Sequence, residues 1–152
     1  MWNLIWYLGF FGLLFKIVTF IQGKLKPKVS LDQFRYGWAV VTGGSDGIGC
    51  GLLEQLALRG FKVLMVSRNA EKMEQVCKKL QAKTNNPRVE WVQADFAKSH
   101  RDPKKFYAEL TDKLAKYNIS VLINNVGVTN PRPFAKHTTD NLEDLIGINI
   151  YP

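Results

Sequence analysis

The chain has 152 residues, of which 46% are hydrophobic and 22% charged. That is enough for one folded domain, and the balance excludes a disordered chain. The formal charge of +8 comes from 21 Lys and Arg against 13 Asp and Glu. These basic residues are spread along the chain with no stripe of interleaved aromatics, which argues against nucleic acid as a partner. An anionic membrane face and a polyphosphate ligand account for the sign more simply. Cys50 and Cys77 are isolated thiols, expected to be reduced and partly buried, and no metal ligation is expected from them.

Residues Leu4 to Ile21 read LIWYLGFFGLLFKIVTFI, with Lys16 as the only charge. A helix of this length is about the shortest that crosses a hydrocarbon core of roughly 30 Å, and Lys16 stands near enough to its C-terminal end to snorkel. The expectation is a membrane anchor over residues 1–22. A cleaved signal peptide is its main rival, although Met1-Trp2-Asn3 carries no basic residue and no small-residue cleavage site follows. A hairpin or in-plane segment held in one leaflet is the other rival. Lys24, Lys26 and Lys28 follow the apolar run and nothing basic precedes it, so the positive-inside tendency keeps the rest of the chain in the cytosol. On that topology the sequon Asn118-Ile119-Ser120 never meets the lumenal glycosylation machinery and reads as chance. Residues 23–36, with Pro27, make a basic linker.

From Gly37 strand and helix patterns alternate. The apolar, β-rich runs are Trp38 to Val41, Lys62 to Val66, Val89 to Gln93 and Val121 to Asn124. Helix-patterned segments run from Gly47 to Arg59, Ala70 to Lys83 and Pro103 to Tyr117, and a last one begins near Thr139. This order predicts an α/β fold with a parallel sheet of right-handed βαβ units. The organising stretch is Thr42-Gly43-Gly44-Ser45-Asp46-Gly47-Ile48-Gly49, between the first strand and the first helix of that series. Backbone N–H groups and the positive end of a helix dipole favour an anion there, and residues lacking Cβ let a pyrophosphate approach closely.

After the second strand comes Ser67-Arg68-Asn69, with no acid until Glu71. In a dinucleotide fold an acid here holds the ribose 2′-OH of NAD, whereas a basic residue pairs with the 2′-phosphate of NADP. Arg68 suits the phosphate, because its planar fork donates two hydrogen bonds to one oxyanion. A solvated surface charge is the bland alternative for Arg68.

The glycine stretch, Ser67-Arg68-Asn69, Asp95, Asn124-Asn125-Val126-Gly127 and Ile148-Asn149-Ile150, in that order and spacing, resemble the short-chain dehydrogenase/reductase family. The apolar N-terminus and Asn-Asn-Val-Gly resemble its branch of very-long-chain 3-oxoacyl-CoA reductases and 17β-hydroxysteroid dehydrogenases. The resemblance covers about residues 37 to 150, the N-terminal half of such an enzyme. It implies a Rossmann-type doubly wound sheet of order 3-2-1-4-5-6, here truncated after about four strands, with residues 37–152 as an incomplete NADP-binding domain. Stopping there leaves Val121-Leu122-Ile123 on an open edge, an expected aggregation site.

By this resemblance Thr42 and Gly43 start the phosphate turn, Ser45 and Asp46 flank the phosphates, Gly47 and Gly49 form the helix N-terminus, and Ile48 closes the turn against the cofactor. Asp95 accepts from the adenine amino group, with a helix cap as its alternative. Asn124 is the more structural amide, while Asn125, Val126 and Gly127 lie nearer the cofactor. Asn149 falls at the Asn of the catalytic tetrad. The Ser and the Tyr-x-x-x-Lys pair of that tetrad are not matched: Tyr151 is followed by Pro152, and Ser99, Ser120 and Tyr117 lie in earlier elements. His100 and His137 read as surface residues.

Two functions are therefore expected. The first is the cofactor half of an NADPH-dependent oxidoreductase at the endoplasmic reticulum membrane, facing the cytosol and reducing a lipid carbonyl such as a 3-oxoacyl-CoA in very-long-chain fatty-acid elongation or a 17-oxosteroid. The second is a catalytically inactive, membrane-anchored dinucleotide-binding or interaction protein. In the first case the chain is a fragment of a longer protein, and in the second a degenerate relative. Expected partners are the lipid or acyl-CoA substrate, the membrane, and a second copy or other membrane-bound lipid enzymes.

Overall fold

The computed structural model describes residues 2–25 and 29–150, and leaves the side chains of residues 2–5 and 25 undescribed. Two units separate along the chain, Met1–Ser30 and Leu31–Pro152. Lys26 and Lys28, counted above for topology, and Tyr151 lie outside the described residues.

The first unit is one helix, α1 (Trp2–Leu25). Its stretch Trp6–Lys24, 19 residues, is long and apolar enough to cross a membrane by length and composition. At 1.5 Å per residue it spans roughly 28 Å, close to a hydrocarbon core. None of that stretch is buried within the protein. The Thr19 hydroxyl is satisfied inside the helix, donating to the carbonyls of Phe15 and Lys16 at 3.0 Å each.

The second unit begins with a 3-10 turn, Leu31–Phe34. It continues as β1 (Trp38–Thr42), α2 (Gly47–Leu58), β2 (Lys62–Ser67), α3 (Ala70–Thr84), β3 (Val89–Gln93), α4 (Pro103–Leu114), β4 (Ile119–Ile123) and α5 (Thr139–Ile150). The four strands are parallel and ordered β3-β2-β1-β4. Both faces of β1 and β2 are covered, so both strands are apolar almost throughout, as buried parallel strands are. The side-chain period of two splits them between two cores. Ala39, Val41, Val63 and Met65 pack with Leu53, Leu56 and Ala57 of α2 and Met73, Cys77 and Leu80 of α3. Val40, Leu64 and Val66 pack on the other face, with Phe96 and the half-buried Phe106, Leu110 and Leu114 of α4.

The expected elements are present, with shifted ends. Helix α2 stops at Leu58, where Arg59 caps it and Gly60 takes a φ of +81°. Helix α4 stops at Leu114, short of Tyr117, whose ring packs edge-on against Trp38 with centroids 5.0 Å apart. Strand β4 runs from Ile119 to Ile123, so Asn124 falls beyond it. Ile119 pairs with Trp38 and Val121 with Ala39, leaving Ser120 as a bulge. Its hydroxyl donates to the Phe34 carbonyl at 2.6 Å, so the sequon serine is used by the fold. Strand β4 is an edge, but an irregular one: Leu122 is 60% exposed while Val121 and Ile123 are half-buried.

Candidate functional site

The carboxyl ends of β1 and β4 are tied together, and the tie shapes a cleft. Thr42 Oγ1 accepts from the backbone N–H of Asn125 at 3.0 Å and of Val126 at 3.1 Å. The Asn125 side-chain amide donates back to the carbonyls of Thr42 and Gly43 at 3.1 and 3.3 Å. The strand tie therefore belongs to Asn125, and Asn124, expected as the structural amide, stands exposed past the strand end.

This close approach explains the glycines. Gly43 turns with φ +65°, and a Cβ there would stand 2.9 Å from the Val126 Cα. A Cβ on Gly49 would stand 2.5 Å from both the Asn125 Nδ2 and the Gly43 carbonyl oxygen. Asp46 caps α2, its Oδ1 accepting from the Gly47 N–H at 2.8 Å. Helix geometry leaves the next N–H groups, of Ile48 and Gly49, without intrahelical acceptors. The result is an anion-favouring turn whose backbone a ligand can reach.

A second wall follows β2. The hydroxyls of Ser45 and Ser67 share a hydrogen bond of 2.9 Å, joining the glycine turn to the β2 end. Asn69 caps α3, accepting from the Lys72 N–H at 2.9 Å. The Lys72 ammonium reaches across to Asp46 Oδ2 at 2.6 Å. That contact, helped by the Gly47 N–H, holds the Asp46 carboxyl below the usual carboxylate range. Arg68 is exposed, and its carbonyl accepts from the Gln93 side chain at 2.9 Å. The third wall is the β3 end, where Asp95 Oδ1 accepts from the Ala97 N–H at 3.2 Å. Asp95 thus caps the 3-10 turn Phe96–Lys98, the alternative role read for it.

These walls enclose a cleft of about 560 Å³. It is lined by Gly43, Ser45, Asp46, Gly47, Ile48, Arg68, Asp95, Asn125, Val126 and Gly127 among the expected residues. Ser67, Asn69, Lys72, Ala94, Phe96, Ala97, Val128 and Ile148 complete the lining. Thr42, Gly49 and Asn124 are not among the lining residues: Thr42 and Gly49 shape the turn behind it, while Asn124 takes no part in the tie. Asn149 is one step removed: Val128 N–H donates to its Oδ1 at 3.3 Å, and its Nδ2 donates to the Val128 and Leu145 carbonyls at 3.0 and 2.8 Å. It fixes the segment after Gly127 against α5.

The histidines depart from the expected surface placement. The His100 side chain is only 16% exposed, and its imidazole fills the space left by the missing Cβ of Gly147. His137 Nδ1 is buried with no hydrogen-bond partner among the described residues. For His100 the burial comes from its packing against Gly147 of α5, and nothing local to either histidine signals it. Ser99 donates to the Phe96 carbonyl at 2.8 Å, and Tyr117 donates to Glu90 Oε2 at 2.8 Å. Burial and that carboxylate push the Tyr117 hydroxyl up to about 12. Both are structural, away from the cleft. Among the described residues no cluster of three His, Cys, Asp or Glu side chains is placed to hold a metal ion.

A parallel sheet whose first strand runs into a glycine turn, with the cleft opening at the strands' carboxyl ends, defines a Rossmann-type domain of the dinucleotide-binding class. More narrowly, the chain belongs to the short-chain dehydrogenase family, a family of nicotinamide-dinucleotide oxidoreductases, whose profile matches residues 37–152. It is 38% identical over 119 residues to the "inactive hydroxysteroid dehydrogenase-like protein 1" of Homo sapiens, covering 76% of this chain and 34% of the relative. It is 35% identical over 127 residues to the very-long-chain 3-oxoacyl-CoA reductase of Coccidioides immitis, covering 81% and 36%. Among solved structures, a short-chain dehydrogenase from Sphingobium yanoikuyae in complex with NADPH superimposes with a TM-score of 0.62 at 27% identity, covering 75% of this chain and 43% of that one. The chain spans about a third of the length of the two curated relatives.

Proposed function

We propose that this chain is the NADP(H)-binding part of a membrane-anchored reductase acting on a lipid carbonyl, a 3-oxoacyl-CoA or a 17-oxosteroid. The observation that carries the reading is the convergence of the glycine turn, Arg68, Asp95 and Asn125 on one cleft at the sheet's carboxyl edge. The residues fit a dinucleotide. Gly43 and Gly49 leave no Cβ where the backbone must be reached, the N–H groups at the start of α2 suit a pyrophosphate, and Arg68 and Lys72 supply positive charge at the β2 end. The one carboxylate at the turn, Asp46, already faces an ammonium.

When bound, the cofactor supplies the hydride. The chain's own residues position it: Thr42 and Asn125 hold the two strand ends in register, Asp95 faces the adenine end, and Asn149 keeps Val126 to Val128 in place beside the nicotinamide end. The apolar helix α1 supports attachment to a bilayer, with residues 1–22 as anchor, 23–36 as linker and 37–152 as the cofactor domain, at the endoplasmic reticulum with this domain in the cytosol. A bilayer delivers substrates of the class named for the fungal relative.

Arg68→Asp tests the cofactor choice. It exchanges attraction for repulsion at a 2′-phosphate, so NADPH affinity should fall about a hundredfold or more while NADH affinity holds or improves. Equal loss for both cofactors contradicts the reading. A second function, a catalytically inactive dinucleotide-binding protein, is favoured by the name of the human relative. The reading frame past Pro152 separates the two: a Ser followed by Tyr-x-x-x-Lys there supports the first function, and their absence supports the second.

A further inference from the structure

Asp46 and Lys72 form the shortest ion pair described at the cleft, 2.6 Å, and they come from opposite walls. Asp46 belongs to the glycine turn and Lys72 to the first turns of α3. Asp46 is 81% exposed and Lys72 45% exposed. An exposed pair contributes little to stability, since water competes with it and ordering two side chains costs entropy. The position of this pair needs another account.

Lys72 follows Arg68 by four residues and lines the same cleft, as do Ser67 and Asn69. The hydroxyls of Ser45 and Ser67 close the floor between the two walls. Two cations, an amide and two hydroxyls thus surround one corner of the cleft, beside the only acid of the glycine turn. A dianionic phosphate monoester matches that set: Arg68 can hold it through its planar fork and Lys72 as a mobile point charge.

Resting on the NADP(H) reading above, we propose that Lys72 is a second specificity-determining cation for the ribose 2′-phosphate, held by Asp46 when the corner is empty and transferred to the phosphate when NADP(H) binds. The pair then acts as a latch with two states. With no phosphate the ammonium neutralises Asp46 and keeps the corner from collecting other anions. A dianion outcompetes a single carboxylate for the ammonium, whereas NAD(H), with a hydroxyl at that place, leaves the latch closed. Discrimination comes from an ion-pair exchange, and Asp46 sets its threshold.

The roles of the two partners are therefore opposed, which makes them separable from a plain brace. The test uses the full chain in detergent micelles, titrated with NADPH, NADH, 2′,5′-ADP and 5′-AMP. Lys72→Gln should weaken NADPH and 2′,5′-ADP about tenfold and leave NADH and 5′-AMP within about twofold. Lys72→Arg should restore most of the preference. Asp46→Asn keeps a good N-cap residue and frees the ammonium, so it should raise the NADPH-to-NADH affinity ratio severalfold. If Lys72→Gln and Asp46→Asn weaken all four ligands alike, the pair is only a brace for the turn and the proposal fails. If Lys72→Gln leaves the ratio unchanged while Arg68→Asp collapses it, Lys72 is overturned and the NADP(H) reading stands. If the unmodified chain shows no preference for NADPH, both fall together.

Discussion

Gly43 and Gly47 both adopt positive φ, +65° and +50°, yet they sit in different surroundings. A Cβ on Gly43 would meet backbone, the Val126 Cα at 2.9 Å and its N at 3.2 Å, while one on Gly47 meets nothing within 4 Å. Gly43→Ala and Gly47→Ala therefore share one cost and differ in another. Each forces an L-residue into the left-handed region, at roughly 1–2 kcal/mol. Only Gly43→Ala also pushes the β4 strand end away from β1, an overpacking cost of about 1–3 kcal/mol that cannot be relieved by a flexible side chain. It also strains the four hydrogen bonds between Thr42, Gly43, Asn125 and Val126. For a domain of this size the extra cost lowers Tm by about 4–12 °C relative to Gly47→Ala. Thermal unfolding of the two variants, followed by circular dichroism in the same detergent, reads the difference. Equal midpoints for the two variants refute the claim that the strand ends close on Gly43.

Other consequences follow from groups away from the cleft. Asn86 is 7% exposed, donates to the carbonyls of Ala57 and Phe61 at 3.1 and 2.8 Å and accepts from the Arg88 N–H at 3.0 Å. Asn86→Ala should cost about 3 kcal/mol in denaturant unfolding, and a loss below about 1 kcal/mol contradicts its role as a brace between α2, β2 and the β3 entry. Burial first, and then the carboxylates of Glu74 and Glu90, push the Cys77 thiol up to about 12. Alkylation of Cys77 at pH 9 should thus be at least about a hundredfold slower in the folded chain than in the unfolded one, as mass spectrometry of the modified peptide reads out. Because the folded value is the raised one, the stability linked to this thiol is fully present below about pH 9 and is lost as pH rises toward 12. Cys77→Ala should flatten that alkaline decline, and an unchanged decline contradicts the burial effect.

The sequence made much of this legible, because its signals were local. The strand-helix alternation fixed the element types from residue 38 on, and the alternating faces of β1 and β2 needed only the side-chain period. The glycine turn could be read because the strand before it and the helix after it leave few backbone routes between them. What escaped depended on distances in space. Lys72 reaches Asp46 across 26 residues of chain, and no spacing rule links two such positions. Asn125 rather than Asn124 became the tie because β4 ends one residue earlier than its apolar pattern suggests, which rotates the pair by one position. His100 is half-buried because Gly147 lets α5 approach it, a packing event between elements about 47 residues apart in the chain. Of the two roles read for Asp95 the cap is present, and because its bond to the Ala97 N–H uses only Oδ1 in a residue that also lines the cleft, it leaves room for the proposed adenine contact.

The central claim is that the cleft at the carboxyl edge of the sheet holds NADP(H). Its most direct measurement is equilibrium titration of the full chain in detergent micelles with NADPH and with NADH, following energy transfer from tryptophan to the nicotinamide. Trp38 and Trp91 belong to β1 and β3, two of the strands whose carboxyl ends bound the cleft. The account predicts saturable transfer for NADPH at at least about tenfold lower concentration than for NADH, displaced by 2′,5′-ADP. A folded chain that shows no saturable transfer with either cofactor, or transfer that 2′,5′-ADP does not displace, contradicts it.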